Sequence, residues 1–165
     1  FSQIACEKPD IDLVLIGKGD SADEELILKK QAVEMNLGKR VHFLGQIPRR
    51  EVPAYLLGAM VLVLARPKSI VADAGFPSKL SEYLSTGKPV VVTRVGEIPV
   101  YLKDRDNAFL VEPGSADEFA EKLRFVLDNY DFALAVGSNG RRLAETTFNY
   151  KFQADRMLTF IRSLQ

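Results

Sequence analysis

GFPSKLSEYLSTGKPVVV, Gly75 to Val92, runs as a glycine–proline loop, a short helix, a stop and an apolar strand. Ser78 fits a helix N-cap, and Gly87 with Pro89 just beyond it ends the helix. Leu80, Tyr83 and Leu84 recur at spacings of three and four, so one face of that helix packs inward. Ser78 and Glu82 are four residues apart and share a face one turn apart. A ligand lying along that face would set a phosphate on the helix N-terminus and a diol on Glu82. Free amides and the positive dipole end favour the phosphate, and a carboxylate suits two hydroxyls. Lys79 breaks a local rule, because the first turn disfavours a cation, and such breaches mark candidate sites. An ordinary amphipathic helix with solvated Lys79 and Glu82 satisfies the same pattern, and the stretch alone does not choose between them.

Outward from this helix the chain alternates strands and helices. Ile11 to Gly17 is a near-continuous apolar run, expected of a strand buried on both faces. Asp23 to Leu37 reads as a helix closed by Gly38, and Arg40 to Gly45 as the second strand. Arg49 to Leu57 is a short helix, Met60 to Ala65 a third strand, and Arg66 to Pro77 a long loop. After the central helix come a strand at Pro89 to Thr93, a short helix near Ile98 to Leu102 and a strand at Phe109 to Val111. The remainder is helical over Ala116 to Leu127, around Phe132 to Thr146, and over Lys151 to Leu164. The alternation predicts an α/β fold, a Rossmann-like parallel sheet of about five strands flanked by helices. Ligands in such sheets bind beyond the carboxyl ends of the strands, where the Gly75 to Ser78 loop also belongs.

Gly17-Lys18-Gly19-Asp20-Ser21-Ala22 formally matches a dinucleotide fingerprint. Charge rejects it. Asp20, Asp23, Glu24 and Glu25 would crowd a pyrophosphate, whereas they suit the dipole of an unliganded helix start. The strand ending at Gly45 also lacks the acidic residue that would hold a ribose there.

The totals exclude several functions. Lys plus Arg equals Asp plus Glu at 22 each, so no global field attracts nucleic acid or an anionic membrane. Cys6 is the only cysteine, which excludes intramolecular disulfides and cysteine-rich zinc sites and makes a reducing cytosol the expected environment. His42, the only histidine, lies in a strand-like run and is expected to be structural. No apolar run approaches the length of a membrane span. With 165 residues, 47% of them hydrophobic, one domain with a sizeable core is expected. The chain opens at Phe1, inside what reads as a helix, so an N-terminally truncated fragment is expected.

In order and spacing these pieces resemble the C-terminal, donor-binding domain of a GT-B-fold, family-four-like (group 1) glycosyltransferase. The landmarks are LVLIGKG (Leu13 to Gly19), RVHFLGQI (Arg40 to Ile47), VLVLARP (Val61 to Pro67), the Gly75 stretch, VGEIP (Val95 to Pro99) and NAFLVEPG (Asn107 to Gly114), with a terminal helix pair near Phe148. The resemblance implies transfer of a sugar from a nucleoside diphosphate sugar to an acceptor, with retention of configuration and with no metal or other cofactor. It places Glu82 on the nucleotide ribose, and Gly75, Phe76, Pro77, Ser78 and Lys79 along the diphosphate and donor sugar. Arg66 falls where base contacts arise. It further implies a separate N-terminal acceptor domain, a missing first strand, inactivity of this fragment by itself, a cytoplasmic role in polysaccharide or glycolipid assembly, and room for peripheral membrane contact. Two departures stand out. Ala74, beside Asp73, occupies the place of a donor-sugar glutamate, and no arginine–lysine diphosphate clamp is present. No catalytic residue is therefore assigned. A nucleotide-sugar epimerase of similar fold and a non-catalytic nucleotide-binding or interaction domain are the alternatives.

Overall fold

The computed structural model describes residues 1–19 and 21–164, apart from the side chain of Ala22. Asp20, one of the acids weighed against the dinucleotide reading, lies outside them. The chain divides into two compact units, Phe1–Tyr55 and Leu56–Gln165.

The first unit holds α1 (Ser2–Ala5), β1 (Leu13–Ile16), α2 (Ala22–Glu34) and β2 (Val41–Gly45), and α3 (Val52–Gly58) begins at its end. β1 and β2 pair in parallel with Leu13 opposite Val41. The expectation of burial on both faces fails for β1, where Val14 is 46% exposed. α2 stops earlier than expected, and not at Gly38. Asn36 takes the left-handed conformation (φ 57°), the Leu37 amide returns to the Ala32 carbonyl at 2.7 Å, and the Asn36 amide bonds Val33. Asparagine tolerates that backbone almost as glycine does, and the paired bonds make a Schellman-type stop. His42 is exposed, its Nε2 2.7 Å from Asp12 Oδ2 on the surface. That hydrogen bond and the imidazole beside it hold the Asp12 carboxyl below the usual carboxylate range.

The second unit carries β3 (Leu62–Leu64), α4 (Ile70–Asp73), α5 (Ser78–Ser85), β4 (Val90–Thr93), α6 (Ile98–Tyr101), β5 (Phe109–Val111), α7 (Ala116–Asp128), α8 (Tyr130–Thr146) and α9 (Tyr150–Ser163). Its parallel sheet has the order β3-β4-β5, with Leu62 opposite Val90 and Val91 opposite Phe109. Among the described residues the five strands, all parallel as expected of this α/β fold, pair as the ladders β1-β2 and β3-β4-β5. Alternation along β4 decides the layering. Val90 and Val92 join Leu80, Leu84 and Ile98 in one core cluster, while Val91 joins Phe109, Val111, Val126 and Val136 in the other. Each such side chain contributes roughly 1.5–3 kcal/mol when fully buried, and β4 is buried at every position. The inward face of α5 is therefore the face read from Leu80, Tyr83 and Leu84. Phe119 and Leu123 of α7 pack on the second cluster, as their spacing predicts. Among the described residues, no helix is long and apolar enough to cross a membrane.

Candidate functional site

α5 starts differently from the sequence reading. Pro77, not Ser78, is the N-cap, and it has no side-chain acceptor to offer. Ser78 lies one position inside, where its hydroxyl cannot serve as the cap. The Leu80 amide tightens onto the Pro77 carbonyl at 2.9 Å. The amides of Ser78 and Lys79 are left without a partner among the described residues, as the opening turn of an uncapped helix dictates. Side chains cap four other helices, Ser21 on α2, Ser69 on α4, Ser115 on α7 and Asn149 on α9, while α1, α6 and α8 start without one, as α5 does. The other end of α5 stops as expected, at a left-handed Gly87 (φ 73°).

Ser78, Lys79 and Glu82 are exposed on the outer side of this helix, while Leu80 and Leu84 are fully buried beneath it. Neither Lys79 nor Glu82 makes an ion pair or side-chain hydrogen bond among the described residues. Burial pushes the Tyr83 phenol up, and the adjacent Glu82 charge adds to it. The surface face of α5 thus offers two amides, a cation and a carboxylate within one turn.

The loop leading into α5 is held from three sides. Arg66, just past β3, is half-buried; its Nη1 lies 3.5 Å from the Gly75 carbonyl. The expected long loop contains a helical turn, α4, capped by Ser69. A Cβ on Gly96 (φ 54°) would collide with the Ala72 carbonyl oxygen and come within 3.2 Å of that of Asp73, so the β4–α6 turn lies directly against α4. Phe76 is turned inward: its ring sits 5.5 Å from Tyr101 and 5.0 Å from Phe148, packed on the core. Its ring anchors the loop, leaving backbone groups of Gly75 to Pro77 as what the loop can present. Arg66 and Gly75 thus meet past the end of β3, and Ser78, Lys79 and Glu82 follow along the exposed face of α5. Asp73, at the end of α4, and Ala74, its C-cap, are both exposed.

Thr93 was not among the residues expected here. It is buried, and its hydroxyl meets both backbone groups of Arg66 at 2.9 Å. A threonine closing an all-valine strand was the available signal. The rejected Gly17 loop behaves as its charges imply: Ser21 caps α2, and Asp23, Glu24 and Glu25 occupy the first turn.

A family model described as "Glycosyl transferases group 1" matches residues 1–143. The chain belongs to that family. This group 1 glycosyltransferase chain is 29% identical over 145 residues to an MMP alpha-(1->4)-mannosyltransferase of Mycolicibacterium hassiacum, covering 86% of the chain and 33% of that protein. It is 27% identical over 149 residues to an Escherichia coli UDP-Gal:alpha-D-GlcNAc-diphosphoundecaprenol alpha-1,3-galactosyltransferase, covering 90% of the chain and 36% of the relative. The chain thus spans about a third of either. Among solved structures, the C-terminal domain of a Francisella tularensis group 1 glycosyl transferase (LpcC) superposes with a TM-score of 0.79 at 25% identity, over 90% of this chain and 75% of that one. Anabaena Alr3699/HepE, solved with UDP-glucose, superposes at 0.81 and 22% identity over 94% of this chain and 42% of its own, which shows the shared α/β fold.

Proposed function

We propose that this domain holds the nucleoside diphosphate sugar of a glycosyltransferase, with the diphosphate at the start of α5 and the ribose on Glu82. The observation that carries the proposal is the bare start of α5: two amides without partners, an unpaired lysine, and an unpaired carboxylate one turn further on. Negative charge grows on the departing diphosphate as the sugar bond breaks. In this reading the two amides, the dipole end and Lys79 stabilise that charge. Backbone groups of Gly75, Phe76 and Pro77 border the donor, and Arg66 reaches the base. Relatives that carry UDP or act on nucleotide sugars support this reading by family.

The reading extends to the full-length protein. There an N-terminal domain would bring the acceptor, transfer would retain configuration without a metal, and this domain alone would be inactive. A cytoplasmic role in polysaccharide or glycolipid assembly, with peripheral membrane contact, belongs to the same proposal. A second reading, nucleotide binding without transfer, is favoured by one observation: exposed Ala74 stands where the family carries a glutamate. Incubating the full-length protein with labelled nucleotide sugars separates transfer from epimerisation and from binding alone.

Amide chemical shifts upon titration with UDP, and separately with GDP, locate the ligand. The expected changes centre on Gly75 to Glu82 and Arg66. Changes confined to Gly17 through Glu25 would return the nucleotide to the acidic loop and overturn the assignment.

A further inference from the structure

Thr93 stands out on two counts: it is a polar side chain sealed in the core at 4% exposure, and its hydroxyl both donates to and accepts from one residue, Arg66. The β3–β4 ladder runs through Leu62–Val90, Val63–Val91 and Leu64–Val92 and then stops. On its other edge β4 stays in backbone register, with the Arg94 amide on the Val111 carbonyl at 2.8 Å. On the β3 edge the next link is made by a side chain. Thr93 Oγ1 accepts from the Arg66 amide and donates to the Arg66 carbonyl, both at 2.9 Å. A hydroxyl can donate and accept at once, which valine cannot do and serine can. β3 therefore leaves the sheet at Arg66 with both backbone groups still tied down. From that fixed point the guanidinium reaches the Gly75 carbonyl, at the mouth of the loop that opens α5.

We infer that Thr93 is a positioning residue for nucleotide binding, acting through Arg66. The inference rests on the donor-site reading given above. The hydroxyl fixes where Arg66 leaves the sheet, and so sets the guanidinium against both the ligand and the Gly75 loop. Thr93 itself touches no ligand. Removing the hydroxyl frees the Arg66 backbone, leaves two polar groups without their partner and lets the side chain wander from its place.

The test measures affinity for UDP and for GDP by calorimetry on the full-length protein, using whichever binds more tightly. Thr93→Val is expected to weaken binding about ten-fold, on the scale of one or two lost hydrogen bonds. Thr93→Ser keeps the hydroxyl and is expected to stay within about two-fold of the unmodified protein. In an Arg66→Ala background, Thr93→Val should have almost no further effect, because the residue it positions is gone. If Thr93→Val does not fold, Thr93→Ala replaces it in the same comparison. Equal losses with and without Arg66 would overturn the inference and make Thr93 a packing residue. So would unchanged affinity in Arg66→Ala, or in a folded Thr93→Val. Failure of the unmodified protein to bind either nucleotide would instead bring down the donor-site reading, and this inference with it.

Discussion

Replacing Glu82 by alanine is expected to weaken donor binding by about ten- to a hundred-fold while leaving folding stability almost unchanged. A carboxylate holding a ribose makes one or two charge-assisted hydrogen bonds, each worth about 1.5–3 kcal/mol, and about 1.4 kcal/mol is ten-fold in affinity. Glu82 is exposed and has no ion pair or side-chain hydrogen bond among the described residues, so its removal breaks nothing within the protein. Substitutions of that kind usually stay within about 0.5 kcal/mol of the original stability. Donor affinity and urea midpoint measured on the same variant separate ligand from scaffold. A lower midpoint with unchanged affinity would make Glu82 part of the scaffold and remove the anchor of the site.

Gly137→Ala should show the opposite profile, a large loss of stability. In isolation a glycine-to-alanine change inside a helix is favourable by about 1 kcal/mol. Here α8 packs so closely on the turn that follows α5 that a Cβ at 137 would collide with the Gly87 carbonyl oxygen and come within 2.7 Å of the Lys88 carbonyl carbon. Gly140, one turn along, meets the Asn107 carbonyl oxygen at 2.6 Å and Leu84 Cδ2 at 2.8 Å in the same way. Backbone atoms cannot step aside as a side-chain tip can, so the overpacking penalty of about 1–3 kcal/mol lies at its upper end and outweighs the propensity gain. The urea midpoint is expected to fall for Gly137→Ala and to stay put for Ser138→Ala, whose side chain is exposed. A raised midpoint for Gly137→Ala would show that helix propensity decides and that the crossing can open.

The parts of this molecule legible in the sequence are those set by periodicity. Leu80 and Leu84 mark the buried face of α5, and the valines of β4 mark a strand covered on both sides. Where one residue's backbone decides, the sequence misleads. Gly38 looked like the end of α2, yet Asn36 ends it, because either residue can adopt the left-handed turn and only the chain's later path chooses. Ser78 looked like a cap, yet the helix starts one residue earlier on Pro77. That shift matters for function, since it leaves the first amides bare. β1 read as doubly buried because apolar composition reports what a strand can bury, not what covers it. Gly75 and Glu82 follow from the pattern of the α5 stretch and Arg66 from the family pattern alone, and the sequence offers no reason to bring Arg66 to Gly75. Thr93 carried one signal, a threonine closing an all-valine strand, but its partner is not legible, because the contact with Arg66 spans 27 positions.

The most direct test of a ribose held by Glu82 pairs a change in the ligand with a change in the protein. Affinity for the preferred nucleoside diphosphate and for its 2′,3′-dideoxy form is measured on the full-length protein and on Glu82→Ala. Loss of the two hydroxyls should weaken binding to the unmodified protein by about ten-fold or more and should barely matter in the variant, where their partner is gone. An equal loss in both proteins would place the ribose away from Glu82 and contradict the site.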